Sequence, residues 1–194
     1  MTSSTDKAII VSAPSGAGKS TLVHHLTNHY PQLAFSVSAC TRPRRKEEKE
    51  GIDYYFISPE TFTKHVESDD FIEWEEVYPG CRYGTLKSEI DRIWRQKQTP
   101  IFDVDVKGGL NLKKYFGEKG LSVFVQPPSV QHLKERLEKR CTDSPERIAE
   151  RVAKAEEELG FISRFDTVIV NDDLEKAKRE ITLATGTFLG INQP

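Results

Sequence analysis

The chain has 194 residues, 30% of them charged and 37% hydrophobic, with a formal net charge of −2. That length supports one domain with a real core, and the near-neutral balance excludes a globally basic surface built for nucleic acid. No apolar run approaches the ~20 residues that span a bilayer, and Met1 to Lys7 lacks the apolar centre of a signal peptide. Three widely spaced cysteines, Cys40, Cys81 and Cys141, read as reduced thiols of a cytoplasmic protein rather than a disulfide framework or a zinc site.

The first element is a strand over about Lys7 to Ser12, carrying Ala8-Ile9-Ile10-Val11. A helix follows over about Lys19 to His29, with helical apolar spacing in Thr21-Leu22-Val23-His24-His25-Leu26. Between them lies Ala13-Pro14-Ser15-Gly16-Ala17-Gly18-Lys19-Ser20. Gly, Gly, Lys and Ser stand where a phosphate-cradling loop needs them, although the strict pattern opens with Gly rather than Ala13. Glycines let successive N–H groups face one anionic centre, and the new helix adds its unpaired N–H groups and positive dipole end. Lys19 would reach the β- and γ-phosphates and the Ser20 hydroxyl would ligate Mg²⁺.

Phe35-Ser36-Val37-Ser38 alternates like a strand and runs into a charged stretch from Thr41 to Gly51. Tyr54-Tyr55-Phe56-Ile57 predicts a strand, and Ser58-Pro59-Glu60 opens a helix with Ser58 as its N-cap. A strand over 71–78 and a Pro79-Gly80 turn into Arg82-Tyr83-Gly84-Thr85 complete a small, largely antiparallel insertion. Helices at about 87–97, 106–116, 130–140, 145–162 and 174–189 then alternate with strands at about 100–105, 121–125 and 167–170. Alternation of this kind predicts a parallel sheet covered on both faces. The fold class is therefore α/β: a three-layer core around the phosphate loop, with a mixed α+β insertion and a basic helical region over 136–162.

Three clusters carry further chemistry. Asp103 and Asp105 end a core strand, where the ligand crevice of a doubly wound sheet lies. Asp103 is placed to hold Mg²⁺ directly or through water, while Asp105 also suits the cap of the next helix. Arg42 and Arg45, with Arg82, Tyr54 and Tyr83, offer guanidinium forks and phenols for a phosphate. Composition alone favours a solvated charge run balanced by Glu47, Glu48 and Glu50. Arg136 with Arg140, and Arg147 with Arg151, are i, i+4 pairs that would form basic faces over a transferring phosphoryl group. Salt bridging to Glu135, Glu138, Glu150 and Glu156 fits the same spacing.

Together these residues resemble the guanylate kinase family. The likeness runs from about Ala8 to Ile181 through the loop 12–21, Phe35-Ser-Val-Ser38, Thr41-Arg42, Gly51-Ile-Asp-Tyr-Tyr-Phe56, Phe71-Ile-Glu-Trp74, Tyr83-Gly84-Thr85, Asp103-Val-Asp105 and 168–173. The resemblance implies transfer of the γ-phosphoryl group of ATP to GMP, and to dGMP, with Mg²⁺ accompanying ATP. It implies one domain over about 8–185, with a core (1–34 and 86–194), a GMP-binding insertion (35–85) and a lid (about 136–162).

By the same resemblance Ser38, Glu73, Thr85 and Asp105 read guanine, and Arg42, Arg45, Tyr54 and Tyr83 hold the GMP phosphate. Lys19, Arg42, Arg136, Arg140 and Arg151 surround the transferred group. ATP lies on Ala13, Pro14, Ser15, Gly16, Ala17, Gly18, Lys19, Ser20 and Thr21, with Asn171 near adenine. The chemistry of Glu73 agrees, since a carboxylate suits the N1–H and N2–H₂ donors of guanine and repels the N1 lone pair of adenine. The family usually carries Pro-Gly where this chain has Lys46-Glu47, and Gly where it has Cys141. Partners are expected to be ATP and GMP, with no nucleic acid and no membrane, and the chain a monomer or weak homo-oligomer. A phosphopeptide-binding scaffold module has no use for an intact Lys19 and Ser20, and a sugar-phosphate kinase none for Glu73 and Ser38.

Overall fold

A computed structural model describes residues 6–139 and 144–191. Five parallel strands run in the order β2 (Leu33–Phe35), β7 (Thr99–Val104), β1 (Ala8–Ser12), β8 (Gly120–Gln126) and β9 (Thr167–Val170). All five residues of the central β1 are buried, the pattern of a strand covered on both faces. Successive side chains of β1 go to opposite layers, as the two-residue period of a strand requires. Ile9 and Val11 pack with α1 (Lys19–His29), α5 (Val130–Lys139), α6 (Pro145–Leu159) and α7 (Leu174–Leu189). Ala8 and Ile10 pack with α3 (Lys87–Arg95) and α4 (Val106–Phe116). The predicted three-layer α/β core is observed.

The second sheet holds β4 (Tyr54–Phe56), β3 (Ser38–Cys40), β6 (Cys81–Leu86) and β5 (Phe71–Tyr78), in that order. The β3–β4 pair is parallel and the other two pairs antiparallel. Its outer face is covered by α2 (Pro59–Glu67), whose Phe62 packs with Ala39 and Phe71. Ser58 caps α2 by accepting from the Thr61 N–H at 3.1 Å, as its place before Pro59 predicts.

Two boundary differences have physical causes. The single strand predicted over 35–38 is two strands in different sheets, with the chain crossing at Ser36 and Val37. The Ser36 N–H still donates to Ile101 of β7, whereas the Val37 N–H donates to the Glu89 carboxylate of α3. Local alternation cannot reveal such a change of sheet. The helices predicted to reach Lys97 and Ile162 end at Arg95 and Leu159. Lys97 takes a left-handed φ of 59°, and Gly160 follows the last residue of α6.

Candidate functional site

The phosphate loop leaves β1 at Ala13 and enters α1 at Lys19. Gly16 and Gly18 have φ values of 96° and 97°, left-handed backbone that glycine adopts without a steric penalty. A Cβ on Gly18 would also stand 2.3 Å from the Asn171 amide nitrogen. That amide donates to the Ala17 carbonyl at 2.7 Å, and Arg136 donates to the carbonyls of Ala17 at 3.4 Å and Asn171 at 3.0 Å. Asn171 and Arg136 therefore brace the loop's main chain. Ser20 and Thr21 are exposed at the start of α1, and Pro14 accepts from the Ala17 N–H. Lys19 is ion-paired with Asp103 at the end of β7. Burial lowers the Lys19 pKa to about 8, with Asp105 and Glu158 opposing the shift.

A cavity of about 210 Å³ opens between the two sheets. It brings together Ala13, Ser15, Lys19, Ser38, Arg42, Arg45, Tyr54, Glu73, Tyr83, Asp103, Asp105 and Arg151, all foreseen from the sequence. Glu73 stands in it because of a β-bulge. Phe71 pairs with Leu86 and Glu73 with Thr85, so β5 spends one extra residue against β6. Regular alternation would put Phe71 and Glu73 on one face. The bulge separates them, so Phe71 stacks on Phe62 of α2 at 4.6 Å while Glu73 lines the cavity.

Burial pushes the Glu73 pKa up to about 7; the Thr85 hydrogen bond opposes the rise and the Asp105 charge adds to it. The Thr85 hydroxyl donates to Glu73 Oε1 at 2.7 Å and is itself wholly buried. Thr85 thus stands behind Glu73 rather than in the cavity wall. Asp105 caps α4, accepting from the Gly108 N–H at 3.1 Å. A Cβ on Gly108 would fall 2.8 Å from Asp105 Oδ1 and 3.0 Å from Glu73 Oε2. Both carboxylates consequently rest against the α4 N-terminus, whose positive end favours them. The need for glycine at 108 comes partly from its helix cap, Asp105, three residues back, and partly from Glu73, which is distant along the chain and leaves no local mark.

On the adjoining wall Arg42 donates from Nη1 and Nη2 to the two oxygens of Glu48 at 2.7 and 2.6 Å. It also donates to the Tyr83 hydroxyl at 3.1 Å and the Pro43 carbonyl at 3.0 Å. Its guanidinium lies over the Tyr54 and Phe56 rings. Glu48 further accepts from the Arg45 N–H at 2.9 Å, so one carboxylate organises both arginines. Arg42 and Glu48 are thus partly buried and mutually ordered, while residues 43–47, 49 and 50 around them are exposed. Burial raises the Tyr54 and Tyr83 pKa values, keeping both phenols as neutral donors.

Arg82 does not join this cluster. It alternates with Tyr83 along β6 and therefore faces α2, donating to Thr63 and to the Pro59 carbonyl over the Phe62 ring. Arg147 is exposed, whereas Arg151, one turn on, reaches the Ser15 hydroxyl at 3.3 Å. Arg140 and Cys141 lie outside the described residues. The cavity also includes Val77, Tyr78, Lys154 and Glu158, which the sequence reading missed. A signal was present for the last two, because 151, 154 and 158 share one helical face. Burial pushes the Glu158 pKa up to about 7. No group of three or more His, Cys, Asp or Glu that could cage a metal occurs among the described residues.

A glycine-rich loop of the kind that cradles phosphates, at the end of a parallel sheet, faces two arginines, two phenols and a buried carboxylate across one cavity. Fold and site define a P-loop kinase whose acceptor is itself a phosphate ester. The guanylate kinase family model matches residues 5–185. A guanylate kinase of Bacteroides fragilis is 50% identical over 186 residues, covering 96% of this chain and 91% of that one. One of Porphyromonas gingivalis is 49% identical, covering 94% and 98% respectively. The crystal structure of the Anaplasma phagocytophilum guanylate kinase superposes with a TM-score of 0.74 at 28% identity, over 93% of this chain and 85% of that one. The chain belongs to the guanylate kinase family, and its activity is the ATP-dependent phosphorylation of GMP to GDP. No helix among the described residues is long and apolar enough to cross a membrane.

Proposed function

We propose that ATP lies along the loop 13–21 with its γ-phosphoryl group at Lys19, and that GMP stands in the insertion with its base on Glu73. The observation that carries this arrangement is the buried Glu73 carboxylate facing Lys19 and Asp103 across a single cavity. Guanine offers two adjacent donors to that carboxylate, and the cost of leaving it unpaired rejects other bases. Ser38 and Asp105 complete the base site and Thr85 fixes Glu73. Arg42, Arg45, Tyr54 and Tyr83 hold the GMP phosphate, with Glu48 setting the arginine fork. By the same family resemblance dGMP is expected as a second acceptor.

The donor set suits Mg²⁺, which keeps most of its shell as water and phosphate oxygens and takes only one or two protein ligands. Ser20 and Asp103 would hold it, and it would supply charge neutralisation across the ATP phosphates. The reaction needs no general base, since the GMP phosphate is already ionised. One of its oxygens bonds to the γ-phosphorus as the bond from that phosphorus to the β,γ-bridging oxygen breaks, and ADP leaves with the electron pair. Loop N–H groups, Lys19 and the arginines 136, 140 and 151 stabilise the charge that spreads in transit.

The insertion (35–85) is the acceptor-binding unit on this reading, and 136–162 the lid. Free thiols at Cys40 and Cys81 support a cytoplasmic setting. A coupled ADP-release assay across GMP, dGMP, AMP, CMP and UMP tests the proposal. Turnover with the guanine nucleotides alone is expected, and folded protein without GMP-dependent turnover would overturn it.

A further inference from the structure

Lys154 stands one turn beyond Arg151 on the cavity-facing side of α6. Its ammonium donates to the Val77 carbonyl of β5 at 2.8 Å and lies 4.9 Å from the centre of the Tyr78 ring. The nearest carboxylate on its own helix, Glu158, is 3.8 Å away. The tighter partner is therefore across the gap, unlike that of an ordinary i, i+4 surface pair. Arg151 rides on the same phenol at 6.0 Å while its Nη1 reaches Ser15. Lys154 also separates the main cavity from a neighbouring one lined by Glu75, Glu76, Lys107 and Glu157. Its side chain is only 21% exposed, so the ammonium is screened less than a free surface charge.

We propose that Lys154 and Tyr78 form a clasp between α6 and the outer end of β5, making Lys154 a positioning residue for phosphoryl transfer. The clasp fixes the face of α6 that carries Arg151, and so sets the distance between that guanidinium and the loop on one side and the acceptor site on the other. The inference rests on the transfer proposed above. Turnover of the unaltered chain with GMP decides that reading, and only the Lys154 variants decide this one.

The test is a double-mutant cycle. Lys154→Met keeps the apolar stem and removes the ammonium. With ATP saturating, it is expected to lower kcat/KM for GMP about tenfold, mostly in kcat, with an unchanged thermal midpoint. Lys154→Arg retains a cation of similar reach and is expected to stay within about threefold of the unaltered chain. In an Arg151→Met background the Lys154→Met penalty should shrink to less than about twofold, because the residue through which the clasp acts is gone. An unchanged kcat/KM in Lys154→Met overturns the clasp. So does the full tenfold penalty persisting in the Arg151→Met background. If Lys154→Met does not fold, loss of activity in a folded Lys154→Arg to the level of Tyr78→Leu overturns it as well.

Discussion

The Thr85 hydroxyl donates to Glu73 Oε1 at 2.7 Å from a wholly buried position, making Thr85 the residue that fixes the carboxylate proposed to read the base. A hydrogen bond to a charged group contributes about 1.5–3 kcal/mol. Thr85→Val keeps the shape and removes the donor. It is expected to raise the KM for GMP by about tenfold or more with kcat little altered, while Thr85→Ser stays near the unaltered value. Steady-state kinetics at saturating ATP would show the split.

Glu73→Gln sets an amide N–H₂ against guanine's donors. The KM for GMP is expected to rise about a hundredfold, in keeping with the large penalty for mismatched buried polar groups. The fold should not suffer, since burial already holds the Glu73 pKa up at about 7 and a neutral side chain avoids that desolvation. Thermal midpoints measured beside the kinetics check both halves.

The pH profile of kcat/KM for GMP should be bell-shaped. Guanine binding needs ionised Glu73, so activity falls as pH drops through about 7, where the carboxylate takes up its proton. Phosphate binding needs protonated Lys19, so activity falls again as pH rises through about 8. Glu73→Gln should remove the acid limb. Glu158→Gln should retain it, although Glu158 also titrates near 7.

Lys19→Met removes the charge that accompanies the γ-phosphoryl group. Turnover is expected to fall by more than about a thousandfold, the scale of preorganised charge stabilisation in such reactions. A folded Lys19→Met retaining full activity in the ADP-release assay would remove its assigned role.

Gly108→Ala places a methyl carbon 2.8 Å from Asp105 Oδ1 and 3.0 Å from Glu73 Oε2. Neither carboxylate can stay where it is. A KM for GMP raised by about tenfold, with a stability loss of about 1–3 kcal/mol in denaturant titration, is expected.

Much of this molecule is written locally. The Ala8–Ser12 strand, the loop glycines, Lys19, the caps Ser58, Asp105 and Asp173, and the apolar runs of β7, β8 and β9 each act through neighbours a few residues away. Strand period, helix capping and left-handed backbone are short-range effects, so the phosphate loop and the layered core are legible in the chain. Arg42 and Arg45 were legible as residue types. The Arg42–Glu48 pairing was not, because Glu48 reads from sequence as one solvent-facing charge among several.

Tertiary structure alone decided which side chains meet. The chain changes sheets between Phe35 and Ser38 because Ser36 and Val37 find partners on β7 and α3. Glu73 enters the cavity because pairing with β6 forces an extra residue into β5, while Arg82 turns to α2 because it alternates with Tyr83. Arg136 and Asn171 meet behind Ala17, and Lys154 finds Val77 across the cleft. Short-range pattern pointed to the phosphate loop and the layered core, and the expectation of a second phosphate beside it came from the resemblance to a family. Long-range pairing, which no local period encodes, set which groups line the cavity and which support those that do.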